Sequence, residues 1–125
     1  MIIKESGEDY LEAILVLKNK AGFVRSIDVA NHLQVSKPSV SVAMKHFREE
    51  GYVVADKDGY LDLTDKGLEI AKRVYERHEI ISQVLISLGV SPEVALEDSC
   101  KIEHAISEES FEKIKEFLSR LKKED

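Results

Sequence analysis

Residues 100–104 read CKIEH and place the only cysteine of the chain within four positions of a glutamate and a histidine. On a helix, Cys100, Glu103 and His104 stand at i, i+3 and i+4 and share one face. A thiol, a carboxylate and an imidazole so grouped point to one common chemistry, coordination of a transition-metal ion. Two plainer readings compete: a surface turn that merely contains these residues, and a cysteine buried as a small hydrophobe. A helical wheel weakens the second, because Val94, Ala95, Ile102, Ala105 and Ile106 fall on the side away from Cys100.

Other residues of the same chemical kind lie far off in the chain. Asp9 and Glu12, at i and i+3, share a helix face, although Asp9 also suits a capping box and Glu12 an ordinary solvated position. His78 sits inside an apolar stripe made by Ala71, Val74, Tyr75, Ile81 and Leu85. It reads either as a satisfied core histidine or as a ligand at the seam between two helices. His32 and His46 have no ligand-type neighbour and are read as structural.

The elements that must position these residues follow from composition and patterning. A chain of 125 residues with 43% hydrophobic content is long enough for one domain, or a small domain with an extension, around a real core. No apolar run approaches the roughly 18 residues of a membrane helix, and the start MIIKESGEDY carries no secretion signal. One cysteine excludes an intramolecular disulfide framework, so the expected setting is a reducing cytoplasm without a membrane partner. The net charge of -6 argues against nucleic acid until its distribution is considered. Residues 76–125 hold 12 acids against 7 Lys/Arg, residues 1–75 hold 12 against 11, and residues 29–48 contain no acid but include Lys37, Lys45 and Arg48. That window is a candidate phosphate-facing surface.

Ser6 with Asp9 predicts the capped start of a helix running to about Lys20, broken by AGFVR. Ser26 is expected to cap a short helix, IDVANHL, and QV to turn the chain. Ser36 then caps a third helix with Pro38 in its first turn, ending at Gly51. YVVADKDGYLDL predicts a hairpin, with Asp-Gly supplying the positive φ angles of a tight turn. Thr64 caps a long helix to Leu88, Ser91-Pro92 opens another to about Ile106, and Ser107 caps a last one carrying Phe111, Ile114, Phe117, Leu118 and Leu121.

This order predicts a mainly α fold: an N-terminal winged helix-turn-helix with a β-hairpin wing, followed by a helical region. The third helix would enter the major groove of double-stranded DNA through Lys37, Pro38, Ser39, Ser41, Val42 and Lys45, with Lys57 at the wing tip reaching a phosphate. A plain helix-turn-helix scaffold is the alternative.

The motifs EDYLE, ERHEI and CKIEH, at these separations after a winged helix-turn-helix, resemble the metal-dependent transcription repressors of the DtxR/MntR type (diphtheria toxin repressor, manganese transport regulator) over nearly the whole chain. The resemblance implies a DNA-binding domain over residues 1–70 and a metal-binding, dimerising domain over residues 71–125, acting as a homodimer on operator DNA. It implies a ligand set of Asp9, Glu12, His78, Cys100, Glu103 and His104. Asp9 is similar to the manganese type and Cys100 to the iron type. Two positions of an ancillary site of the iron type fall on Ser82 and on Leu96, which has no ligating side chain. The end at Asp125 leaves no room for the SH3-like third domain of larger members. The corepressor implied is Mn²⁺ or Fe²⁺, with Zn²⁺ or Co²⁺ also binding in vitro. The function expected is therefore a metal-dependent transcriptional repressor and not an enzyme. The rival class is a metal-independent or cysteine redox-sensing winged-helix regulator, disfavoured because Glu103 beside a thiol raises its pKa.

Overall fold

A computed structural model of the chain describes residues 5–124 and carries six helices and one hairpin, in the order α1 (Glu5–Ala21), α2 (Ser26–Leu33), α3 (Lys37–Glu49), β1 (Val53–Ala55), β2 (Leu61–Leu63), α4 (Asp65–Ser87), α5 (Pro92–Ala105) and α6 (Glu108–Glu124). Residues 1–4, the front of the segment read for a secretion signal, lie outside the described residues. The chain divides into two compact units, Met1–Arg73 and Val74–Asp125.

In the first unit α1, α2 and α3 meet around Leu11, Ile14, Val24, Val29, Val40, Met44 and Phe47. Phe47, 2% exposed, meets both Tyr10 and Tyr52 edge-on with ring centroids 6.2 Å apart. Burying one such ring stabilises by about 1.5–3 kcal/mol before packing terms are added. The turn between α2 and α3 is made by Gln34 in the left-handed region (φ 56°), whose neighbour Val35 donates to the Ala30 carbonyl at 3.1 Å. Ser36 caps α3 by accepting from the Ser39 N–H at 3.2 Å. At the other end Gly51 takes φ +82°, Gly51 N–H donates to Arg48 O and Tyr52 N–H to Phe47 O, the paired bonds of a Schellman stop.

β1 and β2 pair antiparallel with Val53 opposite Leu63 and Ala55 opposite Leu61, and Val53 and Leu61 point into the core. The segment expected only to break α1 also joins this wing: Leu61 N–H donates to Val24 O at 2.8 Å, and Arg25 bridges to Tyr60.

Three local expectations need correction. Ser6 lies inside α1 rather than capping it. The cap position of α2 is Arg25, not Ser26, and its N–H is satisfied by the Asp28 carboxylate at 2.9 Å. The wing turn is wider than a two-residue Asp-Gly loop: Gly59 alone takes positive φ, and the Asp56 carboxylate accepts from the N–H groups of Asp58 and Tyr60. One carboxylate holding two amides replaces the second positive-φ residue.

The Lys18 ammonium beside Asp62 holds that carboxyl below its usual range, mainly through a hydrogen bond that favours the charged form. A depressed folded-state pKa stabilises above the unfolded value, roughly pH 4, and the gain disappears as pH falls through the folded value. Asp62→Asn should therefore melt like the parent at pH 2 and slightly below it at pH 6. The difference is small because both side chains are half exposed.

In the second unit Val74, Ile81, Ala95, Phe111 and Leu118 form the apolar interior. Thr64, Ser91 and Ser107 all accept from the amide three residues on, capping α4, α5 and α6. Lys115 on α6 reaches Glu76 on α4 at 3.1 Å, and that bond raises the lysine pKa.

Candidate metal centre and nucleic-acid interface

α4 and α5 bring together the ligand-type residues of the second unit. His78 projects from the middle of α4, and its Nδ1 lies 2.9 Å from Glu103 Oε2, 3.2 Å from Ser99 Oγ and 3.8 Å from Cys100 Sγ. One ligand atom from each of His78, Cys100 and Glu103 falls within 4.8 Å of the others. His104 Nε2 stands 3.4 Å from Glu103 Oε1. Cys100 is exposed, so it is not a cysteine buried as a small hydrophobe.

Glu103 is the unusual member. It is 2% exposed, and its Oε1 is buried with no hydrogen-bond partner. A buried carboxylate oxygen left unsatisfied is costly and calls for a reason. A cation at this donor set supplies one, since an imidazole nitrogen, a thiolate and a carboxylate oxygen match the preferences of Fe²⁺, Zn²⁺, Co²⁺ and, for the carboxylate, Mn²⁺.

Ser99, which the sequence did not single out, contacts His78, and Ser82, which the resemblance aligned with an ancillary site, supports Ser99. Ser82 Oγ donates to Ser99 Oγ at 2.8 Å, and Ser99 Oγ donates to Leu96 O at 3.0 Å. With the Ser99 proton used there, Ser99 Oγ stands 3.2 Å from His78 Nδ1 and helps hold the imidazole toward Glu103. The spacing Ala95, Ser99, Glu103 (i, i+4, i+8) was the available signal: two small residues and a ligand-type carboxylate in one row.

That row also corrects the wheel. The face of α5 that is buried within the unit is Ala95, Ser99 and Glu103, while Val94 is 45% and Leu96 50% exposed. α5 turns its polar side inward because His78 and Ser82 on α4 offer it hydrogen bonds there. Within the His78 stripe, Ala71, Val74 and Ile81 are buried but Tyr75 is exposed.

The remaining ligand candidates, Asp9 and Glu12, belong to the first unit, one helical turn apart on α1 and both half-buried. His32 and His46 are exposed on α2 and α3, so neither is a core histidine.

The DNA-facing candidates Lys37, Pro38, Ser39, Ser41, Val42 and Lys45 are all exposed on α3, opposite its buried face of Val40, Met44 and Phe47. Val42 is 58% exposed, an apolar side chain with nothing of its own unit over it. Ser39 shares a 2.7 Å bond with Ser36, which ties its hydroxyl to the cap. Lys57 is exposed at the hairpin turn.

Comparison with known proteins places this geometry. Residues 3–61 match the family model described as iron dependent repressor, N-terminal DNA binding domain, and residues 64–125 that described as iron dependent repressor, metal binding and dimerisation domain. The chain is 34% identical over 120 residues to the HTH-type transcriptional regulator MntR of Bacillus subtilis, covering 96% of this chain and 84% of that protein. It is 34% identical over 122 residues to an uncharacterised HTH-type transcriptional regulator of Methanocaldococcus jannaschii, covering 96% and 98%. Among solved structures it superposes on T. acidophilum IdeR with a TM-score of 0.79 at 26% identity, and on the metal-dependent transcriptional regulator MtsR with 0.83 at 28%, covering in each case 90% of this chain and 53% of the other. The chain thus spans about half the length of those two structures.

Proposed function

The chain belongs to the iron-dependent repressor family and is a metal-responsive, DNA-binding regulator of transcription, and from that premise we propose that Mn²⁺ or Fe²⁺ is its corepressor, held by His78, Cys100, Glu103 and His104 together with Asp9 and Glu12. The observation that carries this reading is the buried Glu103 carboxylate, with one oxygen unpartnered, beside His78 Nδ1 and Cys100 Sγ. Asp9 and Glu12 enter the set through the family resemblance. They offer two carboxylates on the helix that leads into the winged helix. The bound dication supplies positive charge that neutralises these carboxylates. With ligands on α1 as well as α4 and α5, metal binding couples the DNA-binding half, residues 1–70, to the dimerising half, residues 71–125. Two recognition helices of a dimer then read half-sites about one DNA turn apart, roughly 34–36 Å. The exposed Leu88, Val94 and Leu96 give a second copy an apolar surface to cover.

On α3, Lys37 and Lys45 anchor phosphates while Ser41 and Val42 meet base edges. The test begins with metal-stripped protein and a randomised duplex pool selected with and without Mn²⁺, Mg²⁺ serving as control. Sequence-selective binding that requires Mn²⁺ or anaerobic Fe²⁺, and is lost in Asp9→Ala, is the expected result. Selection that proceeds equally without metal would overturn the reading in favour of a metal-independent regulator. On the selected duplex, Lys45→Ala should weaken binding uniformly across sequences and reduce the slope of log K against log salt by about 0.9.

A further inference from the structure

Arg77 immediately precedes His78 on α4, and its side chain is only 11% exposed. Nη1 donates to the backbone carbonyls of Glu103 at 3.2 Å and of Ile106 at 2.8 Å, and Nη2 donates to Glu108 Oε2 at 2.9 Å. The guanidinium carbon stands 5.3 Å from the Phe111 ring centroid. One side chain of α4 thus grips the last turn of α5, the junction after it and the first turn of α6. Carbonyls at a helix C-terminus lack intrahelical donors and carry the negative end of the helix dipole, so a guanidinium is matched to them in sign; Nη1 and Nη2 carry the contacts, while Nε is buried without a hydrogen bond.

We propose that Arg77 is a positioning residue of the metal centre. Arg77 and His78 are successive residues of one rigid helix. The same backbone that presents His78 Nδ1 therefore clamps the carbonyl of Glu103, whose carboxylate faces that nitrogen. The clamp fixes the depth and rotation of the α5 end, and hence the separation of two ligand atoms, without touching the ion. A lysine in its place would supply the charge but not the planar fork that spans two carbonyls and a carboxylate. The proposal rests on the assignment of His78 and Glu103 as ligands.

The test uses the full chain, stripped of metal and reloaded. Arg77→Lys and Arg77→Gln are compared with Lys115→Met, which cuts a different α4–α6 ion pair in the same unit. The readouts are the affinity for Mn²⁺ and the absorption spectrum of the Co²⁺-loaded protein, whose thiolate charge-transfer and d–d bands report the geometry at the metal. Circular dichroism establishes that each variant is folded at the temperature of measurement. Loss of a residue that orients ligands typically lowers metal affinity by about 10–100-fold. The expected result is a loss in that range for whichever Arg77 variants remain folded, with shifted Co²⁺ bands, and no change for Lys115→Met. Parental affinity and spectrum in a folded Arg77→Lys protein, whatever its melting temperature, would reduce Arg77 to a structural staple and overturn the proposal. A parent protein that binds neither Mn²⁺ nor Co²⁺ would overturn the ligand assignment itself, and that outcome is visible before any Arg77 variant is made.

Discussion

Glu103→Gln should make the metal-free protein more stable and the metal response disappear. The carboxylate is buried at 2% exposure, and only Oε2 has a hydrogen-bond partner, His78 Nδ1 at 2.9 Å. A buried carboxylate oxygen that makes no hydrogen bond, its nearest polar neighbour being His104 Nε2 at 3.4 Å, costs about 1–3 kcal/mol. Glutamine keeps an acceptor for His78, fills the same volume and removes the charge. In the absence of metal, then, the variant should gain about 1–2 kcal/mol, read as a melting temperature several degrees above the parent. In the parent, Mn²⁺ at about 100 times its Kd should add roughly 2.7 kcal/mol to a folded state that alone binds it. In the variant that increment should vanish. The two effects have opposite sign and come from one atom, so a single pair of thermal melts with and without Mn²⁺ separates them. A metal-free variant that melts well below the parent would mean that Glu103 is a structural partner of His78. A Mn²⁺ increment that survives would remove Glu103 from the ligand set.

This conflict between folding and function explains which parts of the molecule were legible in the sequence. Helix starts are local chemistry: Ser36, Thr64, Ser91 and Ser107 each need only an amide three residues on, and each finds it. Gly51 stops α3 because the next backbone bonds demand a left-handed residue there. His78, Cys100 and Glu103 stand out as rare ligand chemistries at helical spacing, and the fold brings them within 4.8 Å. What the sequence hides is decided by partners far along the chain. Ser99 is indistinguishable from a surface serine until Ser82 and His78 arrive from α4. Arg77 reads as one more exposed helix charge, yet its donors are used 26 to 31 residues away. The wheel of α5 fails for the same reason. It assumes that apolar residues turn inward, whereas here a row of two small residues and a carboxylate does so, leaving Val94 and Leu96 outside.

Gly67 carries a severe steric penalty against any side chain, and Gly67→Ala should show it. Alanine usually stabilises a helix over glycine by about 0.5–1 kcal/mol, because it restricts the unfolded chain. At Gly67, in the first turn of α4, a Cβ would sit 2.1 Å from the carbonyl oxygen of Tyr52 and 3.3 Å from Leu63 Cδ2. The obstacle is backbone, so no rotamer change relieves it. That carbonyl also accepts from Thr64 N–H at 3.1 Å, and Thr64 Oγ1 donates to Gly51 O at 2.7 Å while accepting from Gly67 N–H. Moving Tyr52 away would therefore loosen the cap of α4, the stop of α3 and the entry to β1 together. Overpacking of this kind costs about 1–3 kcal/mol and at times more, so the sign of the ordinary helix effect should be reversed. Gly22→Ala is the fitting contrast: its Cβ would meet nothing within 4 Å, and only its φ of +88° opposes alanine, at about 1–2 kcal/mol. Gly67→Ala should lower the melting temperature further than Gly22→Ala does, and should speed hydrogen exchange at the paired amides of β1 and β2 first. If Gly67→Ala instead melts at or above the parent, the approach of α4 to the wing is soft. The wing would then owe its position to the bonds that β2 makes with Val24 and Arg25 rather than to α4.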